Sequence, residues 1–402
     1  MFDEALTYRK IEKREDVCVL LDIGNGSVGG SLVFFSENNK PQIIYSVRYP
    51  LHIPEKPSSG HLLLKMTKLL EDVVASITNE GSRHLDFRHL SSKDIKHVFC
   101  IFSSPWYSSK TKIFKIERGE ALPMTDEFVS YLLERESDTF EKSIGGNGNG
   151  MLSFIEKKVI RTRLNGYDTK MPYNQAARNV ELGVFMSMVP QAVLDKVGKI
   201  IRRHFNARHI EYNSFALMSF SIIEDLFPSV QNYIFIDITS EVTEISIVRN
   251  NLITETLSLP LGKNLIMRAI AKRYHVSPDI ADSYLKLFIK NHAEKSLKGA
   301  VSQAIKDAEA KWLPQFGQAL QTASKNHAIP GRIFMTADED VAAAFNHFIS
   351  EASRNVNGKP EKFNLTVLSK EILAHFCTFG RGSQEDSFLA IESLYFNKIF
   401  NL

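Results

Sequence analysis

The chain has 402 residues, of which 44% are hydrophobic and 24% are charged, with 49 basic and 46 acidic side chains. This length predicts two or more domains with cores of ordinary size. The nearly balanced charge gives no global indication of nucleic-acid binding. The cysteines Cys18, Cys100 and Cys377 lack metal-ligand or disulfide spacing and are typical of buried thiols in a reducing compartment. The charged N-terminal stretch is not typical of a signal peptide and no apolar run reaches membrane-spanning length, so we expect a cytoplasmic protein.

The first informative stretch, residues 17–36, contains two β-rich runs joined by a glycine turn, and the first run ends at Asp22. Glycines let backbone N–H groups approach a phosphate, and a serine hydroxyl can donate a further hydrogen bond. A carboxylate beside a phosphate requires a divalent cation between them, so Asp22 predicts a Mg²⁺ ion held through water. The plainer alternative is a hairpin of chance turn composition. The candidate ligands are Asp22, Gly24, Asn25, Gly26 and Ser27.

The chain up to residue 228 then alternates between strand and helix patterns. Apolar residues at every second position predict strands, and apolar residues spaced by three and four predict amphipathic helices. The predicted strands span 42–50, 95–102, 111–118, 153–164, 180–189 and 210–212. The predicted helices span 61–79, 126–140 (with Thr125 as its N-cap), 193–205 and 214–226.

A second informative stretch, residues 233–248, repeats the pattern of the first. An apolar strand ends at Asp237, a polar turn follows, and an alternating strand leads away. Further predicted strands span 252–259, 333–336 and 364–368, and residues 355–362 are a predicted polar loop. The predicted helices span 263–274, 278–290, 294–325 (interrupted or kinked at Pro314), 340–352 and 387–400.

Two such halves facing each other bring both turns to one cleft, where each half supplies a hairpin and one carboxylate. The hairpins DIGNGSVGGSLV and FIDITSEVTEISIV in this arrangement resemble those of the actin-like ATPase superfamily. The resemblance implies an α/β fold of two domains with ribonuclease H-like halves, and ATP or ADP with Mg²⁺ as cofactor. It implies that Asp22 and Asp237 hold Mg²⁺ through water. The implied nucleotide ligands in the second half are Asp237, Thr239, Ser240, Thr243 and Thr336.

The segment between the first helix and the strand at Val180 narrows this resemblance. Its strand–strand–helix–loop–strand order is similar to the SHS2-type subdomain 1C of the bacterial actin homologues FtsA and PilM, which replaces subdomain 1B. The stretches that carry the likeness are IKHVFCIFSSPW, TDEFVSYLLERE, FIEKKVIRTRLNGY, NVELGVFMSMVPQAVLDKVGKIIRR and IEYNSFALMSFSII. RLNGYDTKMPYNQAARNVELGVF is closer to FtsA, whereas the final helix favours PilM, so both remain open.

The resemblance also implies where the subdomains begin and end. We expect the last helix to pack on the first domain, with its aromatic side chains in a core rather than in a membrane. The implied segments are 1A (1–90), 1C (91–179), 1A again (180–228), 2A (229–262), a reduced helical 2B (263–330), 2A again (331–384) and the C-terminal helix on 1A (385–402).

Departures from the superfamily pattern weaken the implied nucleotide site. The second hairpin has no glycine, so side chains crowd the phosphate position, and Glu241 adds negative charge. The turn that matches the adenosine motif, residues 336–340, also lacks glycine and carries three acids in a row. The best match for a residue that orients the attacking water is Asn213. We therefore expect weakened nucleotide binding and no efficient hydrolysis.

The leading functional hypothesis is a cytoplasmic actin-like scaffold, peripheral to the inner membrane, that recruits partners in cell division or type IV pilus assembly. The implied partners are division or pilus assembly proteins, including the cytoplasmic tail of a membrane protein, together with self-assembly, and no nucleic acid. One alternative is an active ATPase or small-molecule kinase that uses Asp22 and Asp237. A second alternative is a structural pseudo-actin that binds no nucleotide.

Overall fold

The computed structural model describes residues 15–51, 59–85, 95–145, 151–207, 209–324, 327–356 and 359–401. In this part of the chain, each half contains one mixed sheet, and a third, antiparallel sheet is inserted within the first half. The architecture is therefore the two-domain α/β arrangement that the sequence repeat predicts.

Six strands form the first sheet. In spatial order they are β17 (Thr378–Gly382), β3 (Gln42–Pro50), β2 (Ser27–Ser36), β1 (Glu15–Ile23), β4 (His97–Phe102) and β9 (His209–Ser214). Alternate residues of β1 enter two different cores, which explains its uninterrupted apolar run. One core receives the helices α1 (Ser59–Asn79) and α3 (Gln191–His204), and the other receives α4 (Phe215–Leu226) and α10 (Ser387–Phe400).

The chain between β4 and α3 forms a separate antiparallel sheet, which we call the inserted sheet. Its strands in spatial order are β5 (Ser108–Pro123), β8 (Ala176–Pro190), β6 (Leu152–Leu164) and β7 (Tyr167–Asp168). Helix α2 (Asp126–Gly145) packs on one face through a small core of its own. The hydroxyl oxygen of Thr125 accepts a hydrogen bond from the Phe128 N–H at 3.3 Å, which confirms the predicted N-cap.

The second half repeats the strand order of the first. Strand β10 pairs antiparallel with β11 and parallel with β13, as β1 pairs with β2 and β4. The five strands in spatial order are β12 (Ile253–Leu259), β11 (Thr243–Val248), β10 (Tyr233–Ile238), β13 (Arg332–Ala337) and β16 (Asn364–Val367). The helices that pack on them are α5 (Asn264–Tyr274), α6 (Pro278–Ile289), α7 (Lys295–Ala323) and α8 (Glu339–Glu351).

One hydrophobic core is shared by both halves. It joins side chains of β1, α4 and α10 to side chains of β10 and β13. The ring of Phe215 lies 6.3 Å from that of Phe235, and the ring of Phe227 lies 4.6 Å from that of Phe334. The helices α4 and α10 therefore connect the two sheets at this core.

The structure corrects two expectations about local structure. The loop predicted at 355–362 is wrong for the described residues of that range, because β14 (Ser353–Val356) pairs antiparallel with β15 (Lys359–Lys362). Helix α7 is not interrupted at Pro314, whereas the alternative of a kink there remains a prediction. The sequence analysis missed β17 and the short helix α9 (Lys370–Leu373). Of the helices in the described ranges, none combines the length and the hydropathy needed to cross a membrane.

Candidate functional site

The first hairpin (β1 and β2) and the second hairpin (β10 and β11) face each other, and their tips touch. The side-chain oxygen of Asn25 accepts hydrogen bonds from the N–H groups of Ser240 (3.1 Å) and Glu241 (3.3 Å). A Cβ atom on Gly26 would lie 1.5 Å from Ser240 Oγ, so glycine is required for this approach. The two turns that the sequence predicts to face a phosphate are therefore joined directly to each other.

The turn of the first hairpin is also held by the loop that follows β4. The Gly24 N–H donates to the Ser27 carbonyl at 3.1 Å, and the Gly24 carbonyl accepts from Trp106 Nε1 at 2.8 Å. The amide nitrogen of Asn25 donates to the Ser104 carbonyl at 3.0 Å. The polar groups of the predicted phosphate turn are thus engaged by the fold itself.

Arg48 provides a cation inside the first hairpin that the sequence analysis missed. It lies opposite Gly29 in the pairing of β3 with β2, where a Cβ atom would lie 2.8 Å from Arg48 Nη2. Its guanidinium contacts Asp22 Oδ2 at 2.7 Å, Asp386 Oδ2 at 2.6 Å and Ser27 Oγ at 2.9 Å. Arg48 therefore compensates the charge of Asp22, which is the role that the sequence analysis assigned to Mg²⁺.

The predicted Mg²⁺ site at Asp22 remains a prediction, because this carboxylate has a cation beside one oxygen and, in the described part of the chain, no partner at the other. Burial raises the pKa of the Asp22 carboxyl, and the positive charge of Arg48 opposes that rise. Within the described ranges, Asp22 Oδ1 has no hydrogen-bond partner, so this oxygen could accept from a water molecule of a hydrated Mg²⁺ ion, whose remaining ligands would be other waters and phosphate oxygens. The same ranges contain no group of three or more His, Cys, Asp or Glu side chains arranged to hold a metal.

Asp237 occupies the corresponding position at the end of β10. The hydroxyl of Thr336, its neighbour on β13, donates a 2.7 Å hydrogen bond to Asp237 Oδ1. Burial raises the pKa of Asp237 well above its ordinary value, and the charges of Glu244 and Asp22 raise it further. The structure brings Asp22 and Asp237 within electrostatic reach of each other, as the repeat predicts. The role of Asp237 in holding Mg²⁺ through water remains a prediction.

The two threonine hydroxyls of the second hairpin form hydrogen bonds within the second half. Thr239 Oγ1 donates to the Val242 carbonyl at 2.8 Å. Thr243 Oγ1 donates to the Leu261 carbonyl at 2.6 Å and accepts from Trp312 Nε1 at 3.1 Å. Both hydroxyls therefore stabilise the loops and helices of the second half.

The entrance of helix α5 closes over the second hairpin. The N–H groups of Lys263 and Asn264 donate to the carbonyls of Thr239 (2.9 Å) and Ser240 (2.8 Å). A Cβ atom on Gly262 would lie 2.2 Å from the Thr239 carbonyl oxygen, so the approach again requires glycine. N–H groups at a helix N-terminus are suited to binding anions, but here they bind the carbonyl groups of the hairpin.

The acidic residues that weaken the predicted nucleotide site are paired with cations of the second half. Glu241 Oε1 accepts a hydrogen bond from Arg268 at 2.6 Å. Lys263 Nζ contacts Asp340 at 2.6 Å and Asp338 at 3.1 Å. Two of the three acids in the turn that matches the adenosine motif are thus paired with a lysine that lies far from them in sequence, and Glu339 pairs with Lys370 at 2.9 Å.

Asn213 lies in the same row of the first sheet as Asp22, with Ile101 of β4 between them. It faces the inserted sheet, because Lys158 Nζ lies 3.4 Å from Asn213 Oδ1. The same ammonium group donates to the hydroxyl of Tyr395 at 2.8 Å. The role of Asn213 in orienting a water molecule remains a prediction.

Known proteins are similar to this chain in fold, not in sequence. No family model and no curated protein matches the chain. Among solved structures, the PilM–PilN type IV pilus biogenesis complex matches with a TM-score of 0.61 at 12% identity, over 95% of this chain and 98% of that chain. The chain therefore has the same overall fold as that structure. At this identity the likeness shows the fold and leaves the function open.

Two further structures are similar over most of the chain. The ethanolamine utilization protein EutJ from Carboxydothermus hydrogenoformans matches with a TM-score of 0.41 at 9% identity, over 96% of this chain and 92% of that chain. A Bacteroides thetaiotaomicron protein with an actin-like ATPase fold and unknown function matches with a TM-score of 0.39 at 8% identity, over 94% and 95%. Both TM-scores are too low to support a functional argument.

Proposed function

We propose that this chain is a non-catalytic actin-fold scaffold of the FtsA and PilM type, whose own side chains fill the nucleotide cleft. One observation carries the proposal. The Arg48 guanidinium binds Asp22 and Ser27, which are the first-hairpin residues expected to face Mg²⁺ and phosphate. A nucleotide would have to displace this buried cation and separate the hairpin tips joined through Asn25.

The scaffold part of the proposal is supported by the near-complete overlap with PilM in the PilM–PilN complex. In that complex the actin-fold protein is bound to a second protein. By analogy, this chain would recruit a protein of pilus assembly or cell division, such as the cytoplasmic tail of a membrane protein, at the inner face of the membrane.

The ion pairs of Lys263 with Asp338 and Asp340 also support the filled cleft, because they compensate charges of the second half within the protein itself.

The proposal is tested by co-expression of the tagged chain with the pilus and division proteins encoded in the same genome. We expect one of these proteins to co-purify in a fixed ratio, and the ratio to be unchanged by added ATP or by enzymatic removal of nucleotide. If the chain binds none of these proteins, the scaffold role is contradicted. Loss of the complex after nucleotide removal contradicts the filled cleft.

The alternative of an ATPase or a small-molecule kinase predicts phosphate transfer that depends on both carboxylates. A phosphate-release assay with the native chain and the variant Asp237→Asn separates the two functions. We expect both proteins to release no more phosphate than the buffer. Release by the native chain that disappears in Asp237→Asn supports the enzyme and contradicts the scaffold proposal.

A further inference from the structure

The inserted sheet contacts both halves of the molecule. Its strand β6 lies beside β9, which is the edge strand of the first sheet. Its strand β5 lies beside β12, which is the edge strand of the second sheet. The inserted sheet therefore connects the edges of the two large sheets, in addition to the core that α4 and α10 share with both halves.

The connection to the first half is polar and buried. Glu156 Oε2 accepts hydrogen bonds from Ser187 Oγ at 2.6 Å and from Ser214 Oγ at 2.5 Å. Ser187 belongs to the inserted sheet, whereas Ser214 ends β9. The hydrogen bond from Lys158 to Tyr395 extends this contact to α10. Buried hydrogen bonds of this kind require defined geometry, so they fix the orientation of the inserted sheet on the first half.

The connection to the second half depends on a glycine. A Cβ atom on Gly183, in the central strand β8, would lie 2.4 Å from Leu252 Cδ1, and Leu252 is buried just before β12. At the start of β5, the hydroxyl of Tyr107 donates a 2.5 Å hydrogen bond to Glu244 Oε1. Tyr107 immediately precedes β5, so the first strand of the inserted sheet begins at a hydrogen bond to the second half.

We propose that the inserted sheet is a clamp that fixes the angle between the two halves and holds the cleft closed without a nucleotide. Two domains joined through one core can rotate about that connection, as in hinge closure around a ligand. The contacts at Gly183 and Tyr107, together with the hairpin contact at Asn25, oppose this rotation. The proposal goes beyond the scaffold function, and it rests on contacts that exist whether or not the chain recruits a partner.

The test measures the distance between the halves by pulsed electron spin resonance. The native cysteines are buried, so spin labels attach selectively at Lys68→Cys in α1 and Lys306→Cys in α7, where both lysines are exposed. We expect a single narrow distance distribution that Mg-ATP does not change. In Gly183→Val the added side chain displaces Leu252, and we expect the distribution to broaden and shift. Adding Leu252→Ala makes room for the valine and restores the narrow distribution.

The control is Gly119→Val in β5 of the same inserted sheet, because a Cβ atom on Gly119 meets no atom within 4 Å. We expect this variant to keep the native distribution. If Gly183→Val does not fold, Tyr107→Phe combined with Leu252→Ala breaks the same connection without added volume, and the same broadening is expected. The proposal is overturned if the native chain gives a broad distance distribution or one that shifts on adding Mg-ATP. It is also overturned if the folded Gly183→Val variant, or Tyr107→Phe with Leu252→Ala, keeps the native distribution.

Discussion

Arg48 lies between two carboxylates, and both depend on its charge. The side chains of Asp22 and Asp386 are 4% and 11% exposed, so solvent compensates them poorly. Burial favours the neutral form of Asp22, whereas the guanidinium favours the charged form. The stability of the first hairpin is therefore tied to a single cation.

We expect Arg48→Met to lower the free energy of unfolding by about 3–5 kcal/mol, because removal of one partner leaves a buried charge uncompensated. Urea denaturation measures the change. The matched control is the double variant Arg48→Met with Asp22→Asn. It removes one of the two carboxylates left without a cation, and we expect it to recover part of the lost free energy of unfolding. A loss below about 1 kcal/mol, the size of an exposed ion pair, contradicts the buried role of Arg48.

Glu244 makes the contact between the halves sensitive to pH. Burial raises its pKa from 4.5 to about 7, and the hydrogen bonds from Tyr107 and Ser104 moderate the rise. The folded chain therefore holds this proton more tightly than the unfolded chain does. The stabilisation is fully present below the ordinary pKa of a glutamate and is lost as the pH rises through about 7.

We expect the free energy of unfolding to fall more steeply from about pH 5 to about pH 8 in the native chain than in Glu244→Gln, by roughly 2–3 kcal/mol. Glutamine retains an oxygen that accepts from Tyr107 but does not titrate. Denaturation at a series of pH values measures the difference. Glu120→Gln, at an exposed position of β5, is the control and is expected to follow the native chain. Equal slopes for native and Glu244→Gln contradict the assignment.

Strands and helices with a distinct hydrophobic pattern in their own sequence were predicted. Strands that form only by pairing with another segment were not. The continuous apolar runs of β1 and β10 and the helical spacing of α10 specify their structure locally. Strand β17 has the sequence TFGRG, which lacks alternation, and it forms by pairing with β3 from the other end of the chain. The polar hairpin of β14 and β15 has no apolar face that would distinguish it from a loop.

Helix α7 contains a proline at an exposed interior position, Pro314. A proline there removes one backbone hydrogen bond and crowds the preceding turn. We expect Pro314→Ala to raise the free energy of unfolding by roughly 1–3 kcal/mol in chemical denaturation. The matched control in the same helix is Gly317→Ala, where a Cβ atom meets open space and a gain of about 0.5–1 kcal/mol is expected. Loss of stability in Pro314→Ala, with the control as expected, contradicts the assumed cost of proline at this position of α7.

Helix α10 contributes to the core shared by both halves. Phe396 is 2% exposed, and its ring stacks on Phe99 of β4 with centroids 3.8 Å apart. We expect Phe396→Ala to cost about 3–5 kcal/mol in the same denaturation assay, because it removes buried contacts and leaves a cavity. Phe400→Ala, near the helix end and only partly buried, is the control and is expected to cost less. A larger loss of stability in Phe400→Ala than in Phe396→Ala contradicts this packing.

At the scale of the whole molecule, the repeat predicts that the two hairpins oppose each other, and the structure brings them together. The sequence did not reveal that their tips touch, because the contact depends on Asn25 reaching the backbone of the other half. The cations Arg48 and Lys263 were missed for a similar reason. Each lies beside its carboxylates only after strand register and loop closure bring distant segments together.

The central claim is that internal side chains fill the nucleotide cleft, and isothermal titration calorimetry with ATP tests it most directly. The native chain is titrated with and without Mg²⁺, beside the variant Asp22→Ala. We predict no saturable heat for the native chain up to millimolar ATP in either condition. Saturable, Mg²⁺-dependent binding at micromolar ATP that disappears in Asp22→Ala would contradict the account.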